Sequence, residues 1–214
     1  MPAKQLGTIA MIGVGWFVVA VLALHVVEPD FSVVNNYISE YALGESGWLM
    51  QSAFFGIGFG VIAIALGLRQ TLARGKRVTA SVVVLLIAGI GFFVAAIFKT
   101  DPTGATETTT DGNLHLVGSV MIFFSLLAVA WMLRGVFKRD PTWEAFAKAQ
   151  MWFAIVYTVS MVVTFGTPPG GPVGVTQRLF VTLILGWLLT LAWNIRRHGP
   201  AREPLYPHPT PHMT

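Results

Sequence analysis

Residues 78–98 read VTASVVVLLIAGIGFFVAAIF, a run without a single charged side chain. At ~1.5 Å rise per residue, about 20 apolar residues in a helix cross the roughly 30 Å hydrocarbon core of a bilayer, so this segment reads as a transmembrane helix. Five more such runs flank it: Leu6–Val27, Trp48–Leu68, Leu114–Leu133, Ala149–Phe165 and Val175–Trp193. The chain is therefore expected to be an all-α, polytopic membrane protein built as a six-transmembrane-helix bundle. Composition agrees, with 54% hydrophobic and only 11% charged residues, against about 25% charged in an average soluble domain. The six spans use most of the 214 residues, which leaves no room for a soluble catalytic domain. Any site has to be made from helix ends and short loops.

Charge placement orients the bundle. With six crossings, 12 of the 14 basic residues fall on one side. They are Lys4, then Arg69, Arg74, Lys76 and Arg77, then Arg134, Lys138, Arg139 and Lys148, and finally Arg196, Arg197 and Arg202; only Lys99 and Arg178 lie opposite. Seven acids, Glu28, Asp30, Glu40, Glu45, Asp101, Glu107 and Asp111, take the other side, while Asp140, Glu144 and Glu203 stay with the basic residues. The positive-inside rule then predicts that both termini are cytoplasmic in a multi-pass membrane protein. The basic cluster Arg69–Arg77 reads as a topology signal beside lipid headgroups, with a polybasic binding site as the alternative. This distribution argues against nucleic acid as a partner despite the net charge of +4. Cysteine is absent, so disulfide, thiolate and Cys-ligated metal chemistry are excluded. The first span reads as an uncleaved helix, because it is long and lacks a small-x-small cleavage site.

The chain divides into a membrane domain, 1–197, and a Pro-rich cytoplasmic tail, 198–214, whose composition predicts disorder; His208 and His212 in that tail read as passive. Ser52, Gly56 and Gly60 form a strip of small side chains that suits close helix packing, inside the bundle or at a homodimer seam. The Trp residues read as interface anchors or packing groups.

The two long connections on the acidic side, Glu28–Gly47 and Lys99–Asn113, carry most of the chemistry. Asp111 is positioned to cap the fourth helix, where a carboxylate meets orphan N–H groups and the positive helix end. His115 lies four residues on, and so on the same helix face. On the first span His25 and Glu28 stand three apart, again sharing a face. Two His–carboxylate pairs thus reach one depth from different helices, and His25 and His115 are expected to face each other across a polar pocket. Arg178 opens the last span among seven acids, so a bidentate pairing with Glu40 or Asp101, or capture of an anionic headgroup, is expected. The candidate ligand-binding set is His25, Glu40, Asp101, Asp111, His115 and Arg178.

At these residues a family resemblance enters. The motifs "ISE" (Ile38–Glu40), an aspartate after the third helix (Asp101), "GNLH" (Gly112–His115) and "QR" (Gln177–Arg178) together resemble the six-helix prokaryotic membrane proteins catalogued as domain of unknown function 998. The first-loop motif is similar, more distantly, to membrane proteins of the Frag1/DRAM/Sfk1 type. The resemblance implies a six-helix fold in a prokaryotic cytoplasmic membrane and a polar outer cluster, and brings no established activity.

Two functions compete. The first is a polar site on the outer face that binds a lipid headgroup or small polar ligand, with membrane lipids as partners and a homo-oligomer or larger membrane complex, in which the chain would be an accessory subunit, as the setting. The second is a metal-dependent intramembrane lipid hydrolase or transferase. In it zinc would be held by His25, His115 and a carboxylate from Asp101 or Asp111, with Glu40 as general base on the activated water. Ser39 as a nucleophile beside His115 is a variant of that reading. Whether the protein is an enzyme stays open at this point. Bis-His haem or quinone chemistry ranks below zinc, and transport ranks last, because the span centres hold no buried charge and no Pro break.

Overall fold

A computed structural model describes residues 1–168 and 170–198, so the predicted tail falls almost wholly outside the described residues. Six helices make up the fold: α1 (Ala3–Val27), α2 (Gly47–Thr71), α3 (Lys76–Ile97), α4 (Thr110–Phe137), α5 (Glu144–Gly166) and α6 (Val173–Arg197), with a 3₁₀ turn at Ile38–Leu43. All six are long and apolar enough to cross a membrane. Each predicted span is present, most running a few residues further at one or both ends. The extensions take in residues whose polar tips can reach the interface, such as Arg69 at the end of α2 and Arg134 near the end of α4. α1 stops at Val27, just ahead of Pro29, because the ring of proline cannot continue a helix.

Sequential helices pack as antiparallel neighbours and α6 returns to α1, closing the ring; α2 also touches α6. Outward faces stay apolar, with Val19, Val26, Ile90, Phe124, Val162 and Leu179 among the exposed side chains. Apolar residues on all sides are what a lipid-solvated helix requires.

Two kinds of contact hold the ring. From α1 to α4 the helices meet backbone to backbone through glycines: a Cβ on Gly13 would collide with the carbonyl of Gly56, one on Gly58 would come within 3.2 Å of the Gly89 carbonyl, and one on Gly91 within 2.8 Å of the Gly118 carbonyl. The Ser52–Gly56–Gly60 strip therefore packs against α1 inside the bundle. Ser52 Oγ accepts a hydrogen bond from Trp16 Nε1 there, at 3.2 Å. From α4 to α6 large side chains replace the glycines. Phe153 stacks on Trp187 at 4.7 Å between centroids and Tyr157 on Phe180 at 5.1 Å. The fully buried Gln150 donates to the Ala130 carbonyl and accepts from Trp187 Nε1, both at 2.8 Å, tying α4, α5 and α6 together where no water is available to satisfy an amide.

Candidate functional site

The long connections 28–46 and 98–109 and the N-terminus of α6 meet at one end of the bundle, the acidic end, and Glu40 is their hub. It is 1% exposed, yet its carboxylate is well supplied with donors. Asn36 Nδ2 donates at 2.9 Å, the Tyr37 N–H at 2.7 Å, the Thr103 N–H at 2.9 Å and the Thr103 hydroxyl at 2.6 Å. The bond from Tyr37 is the backward reach of a capping carboxylate over the first turn of Ile38–Leu43. The two bonds from Thr103 clamp the second connection onto the first. Thr103 is presented by a turn in which the Ala105 N–H donates to the Pro102 carbonyl, with Gly104 at φ 84°, a backbone state that glycine adopts without strain. Burial first, and then the Glu40 charge, push the Tyr37 phenol above its usual range, so it stays neutral at any ordinary pH.

Asp101 and Glu28 do related work. Asp101 accepts from the Thr109 N–H at 3.1 Å and the Thr109 hydroxyl at 2.7 Å, and Thr109 Oγ1 in turn accepts from the Gly112 N–H at 2.9 Å. Thr109, not Asp111, is thus the cap of α4, and Asp111 is an exposed first-turn residue. The carboxylate that was expected at the helix start acts one step removed, from Asp101. Gly112 has to be a glycine because a Cβ there would run into the Asp101 carboxylate. Glu28 is buried and accepts from the Ser46 N–H at the start of α2, so it does not pair with His25 although it lies one turn away.

Arg178 differs from expectation in the same way: among the described residues its hydrogen bonds end on backbone carbonyls, the Tyr41 hydroxyl and the His25 ring, and none on a carboxylate. Nη1 donates to the carbonyls of Asn36 (2.8 Å), Val33 (3.1 Å) and Gly174 (3.1 Å), Nη2 is 3.4 Å from the Tyr41 hydroxyl, and Nε donates to His25 Nε2 at 3.1 Å. Glu40 and Asp101 are already engaged by backbone and hydroxyl donors, which is why the ion pair does not form. The guanidinium instead staples the first connection to α6. Gly174 leaves room for this, since a Cβ would sit 2.6 Å from the Asn36 carbonyl oxygen. Beside it, Gln177 Oε1 accepts the Ile38 N–H at 2.7 Å.

The two histidines are both near this end, but they do not share a pocket. His25 Nδ1 lies 2.6 Å from the Val21 carbonyl and Nε2 accepts from Arg178 Nε at 3.1 Å, so both ring nitrogens are engaged and the ring orientation is fixed. It lines a groove of about 240 Å³ between α1 and α6, with Phe17, Val18, Leu22, Arg178 and Val181. His115 is 5% exposed, with Nδ1 2.9 Å from the Phe98 carbonyl and its ring edge-on to Phe54. It lines a separate interior cavity of about 50 Å³ with Ser39, Phe54, Ser119 and Gln177, space enough for a few water molecules. The expectation of one pocket between the imidazoles is therefore corrected. α1 turns His25 toward α6, while α4 turns His115 toward α2 and α3. The zinc candidates His25, His115, Asp101 and Asp111 are dispersed accordingly, and among the described residues no three His, Asp or Glu side chains gather as a metal would need.

Groove and cavity adjoin, with Phe17, Ile38, Val181 and Leu185 lining both. Sequence reasoning picked out the acids and missed the donors that occupy them. Thr103 and Thr109 lie in a run of threonines where no spacing distinguishes one from the next, and Asn36 and Tyr37 sit beside the "ISE" motif without a pattern of their own. Seen together, the four short motifs form one interlock: Glu40 holds the second connection, Asp101 holds the cap of α4, and Gln177 and Arg178 hold the first connection.

The family model described as "Protein of unknown function (DUF998)" matches residues 11–194. No curated protein and no solved structure matches the chain.

Proposed function

Since the chain belongs to the DUF998 family, whose description names no reaction, the working parts have to be read from the geometry, and we propose that this membrane protein binds an amphiphile with an anionic headgroup in the α1–α6 groove. One observation carries the reading. Among the described residues Arg178 holds a guanidinium with no carboxylate partner, at the acidic-end mouth of a groove whose other walls are chiefly apolar. Backbone carbonyls and the His25 ring fix its position without supplying a negative charge, and Nη2 keeps donor capacity beyond its long contact to Tyr41. A phosphate or carboxylate headgroup would supply the missing charge, and a chain would lie along Phe17, Val18, Leu22 and Val181. This reading places the acidic end on the outer face of a prokaryotic cytoplasmic membrane, with both termini cytoplasmic. It also suits an accessory subunit that presents or senses lipid in a larger complex.

The hydrolase alternative has less behind it. Four donors leave Glu40 poorly suited to act as a general base. What favours it is Ser39 and His115 lining one cavity, with His115 Nδ1 fixed so that Nε2 is left as the acceptor.

Native mass spectrometry of the purified protein tests the binding reading. The wild type is expected to retain phospholipid with an anionic headgroup, and Arg178→Gln to lose it. Arg178 also staples a loop, so Val18→Trp serves as a second variant that fills the groove and leaves the guanidinium alone. Wild-type lipid content in both variants would sink the proposal.

A further inference from the structure

The opposite end of the bundle, the basic end, brings together two clusters that are some sixty residues apart in sequence. Because α3 and α4 pack side by side, the basic turn between α2 and α3 meets the end of α4. Two grooves result. One, of about 450 Å³, is lined by Arg77, Trp131, Met132, Arg134, Gly135 and Lys138. The other, of about 330 Å³, includes Arg74, Lys76, Arg77, Gly135, Arg139 and Asp140. Arg77 and Gly135 belong to both. The Arg77 side chain crosses onto α4 at Gly135, where a Cβ would lie 2.7 Å from Nη1, so the glycine leaves a notch for the guanidinium. Six cations therefore surround the two grooves against one acid. That acid is engaged, since Asp140 Oδ1 accepts from both the N–H and the hydroxyl of Thr142.

From this arrangement we infer a second anion-binding site, independent of the α1–α6 groove, that takes a headgroup carrying two phosphate groups, one in each groove, with Arg77 between them. Two phosphates match two grooves joined at one guanidinium better than a single phosphate does. Guanidinium forks bind phosphate oxygens in pairs, while the lysines add point charges. The apolar part of the ligand has its own wall: Trp131 is 42% exposed and is fixed by a hydrogen bond from Nε1 to Thr158 Oγ1 at 3.2 Å, and Met132 lines the groove beside it. A topology signal alone needs only positive charge; it does not need a notch in a facing helix. Basic pockets between transmembrane helices are suited to diphosphate lipid headgroups of this kind.

The experiment titrates the full-length protein in nanodiscs of neutral lipid with cardiolipin, phosphatidylglycerol and inorganic diphosphate, and reads binding by native mass spectrometry and thermal shift. Cardiolipin is expected to bind more tightly than phosphatidylglycerol. Arg77→Gln is expected to weaken it about fivefold or more, the scale of one lost cation near a headgroup. Arg196→Gln, which removes a cation at the same end but outside the grooves, is expected to leave it unchanged. Inorganic diphosphate bound as tightly as cardiolipin, with the same loss in Arg77→Gln, would identify a soluble diphosphate as the source and uphold the two-phosphate site. Equal binding of phosphatidylglycerol and cardiolipin, or equal losses in Arg77→Gln and Arg196→Gln, would overturn it in favour of general surface charge. Arg139→Gln gives the same readout if Arg77→Gln does not fold.

Discussion

Glu40 shows how one buried carboxylate can tie two connections together. Its charge is distributed over four donors, two of them from a single threonine more than sixty residues away in sequence. Glu40→Gln would keep the shape but turn one acceptor into a donor that faces donors. The expected cost is about 2–4 kcal/mol, from the lost charge-assisted bonds and the N–H groups left without acceptors. The check is thermal unfolding in detergent together with limited proteolysis, which should cut the released 99–109 connection in the variant and spare it in the wild type. Unchanged stability and unchanged proteolysis would mean that the Glu40 hub does not hold the connections together.

Between elements, glycine placement separates contact from mere composition. Gly13 and Gly15 are both interior glycines of α1, two residues apart and indistinguishable by propensity. At Gly13 a methyl group would strike the Gly56 carbonyl, whereas at Gly15 nothing lies within 4 Å. Gly13→Ala is expected to push α1 off α2 and to destabilise by roughly 1–3 kcal/mol, as overpacking does. Gly15→Ala is expected to be neutral or to stabilise by about 0.5–1 kcal/mol, through the smaller entropy loss of alanine in a helix. Melting curves of the two variants in one detergent test this directly, and equal shifts would refute the α1–α2 crossing. The small-residue strip on α2 was visible in the sequence. Its partner was not, because a glycine stripe looks the same whether α1 or a second copy of the chain lies against it.

For the whole molecule, the orientation in the bilayer rests on charge asymmetry and is open to a direct test. Reporter fusions after Trp193 and within Thr103–Thr110 should report opposite sides of the membrane, with the Trp193 fusion cytoplasmic. The same side for both would contradict six crossings, and the reverse sidedness would contradict the positive-inside assignment. The architecture gives the two ends different characters. At the acidic end hydrogen bonds from backbone and hydroxyl groups absorb the buried acids, and among the described residues Arg178 is left without a counter-charge. At the basic end two cationic clusters meet with one engaged acid between them.

The sequence by itself determined the number of helices, their approximate limits and the two-sided charge distribution, because these follow from local quantities: the run length of apolar residues, the position of prolines and the count of cations per loop. It also put forward His25, Glu40, Asp101, Asp111, His115 and Arg178 as one candidate set. The tertiary structure decided their partners. Arg178 turned to carbonyls and to His25, Thr109 took the cap expected of Asp111, and His25 and His115 went to different cavities. The physical reason is that a hydrogen-bonding partner is chosen by which donor or acceptor lies within about 3 Å once helices have packed. Helix rotation within the bundle is set by glycine crossings and aromatic stacks far from the polar end, and no spacing within a single segment encodes it.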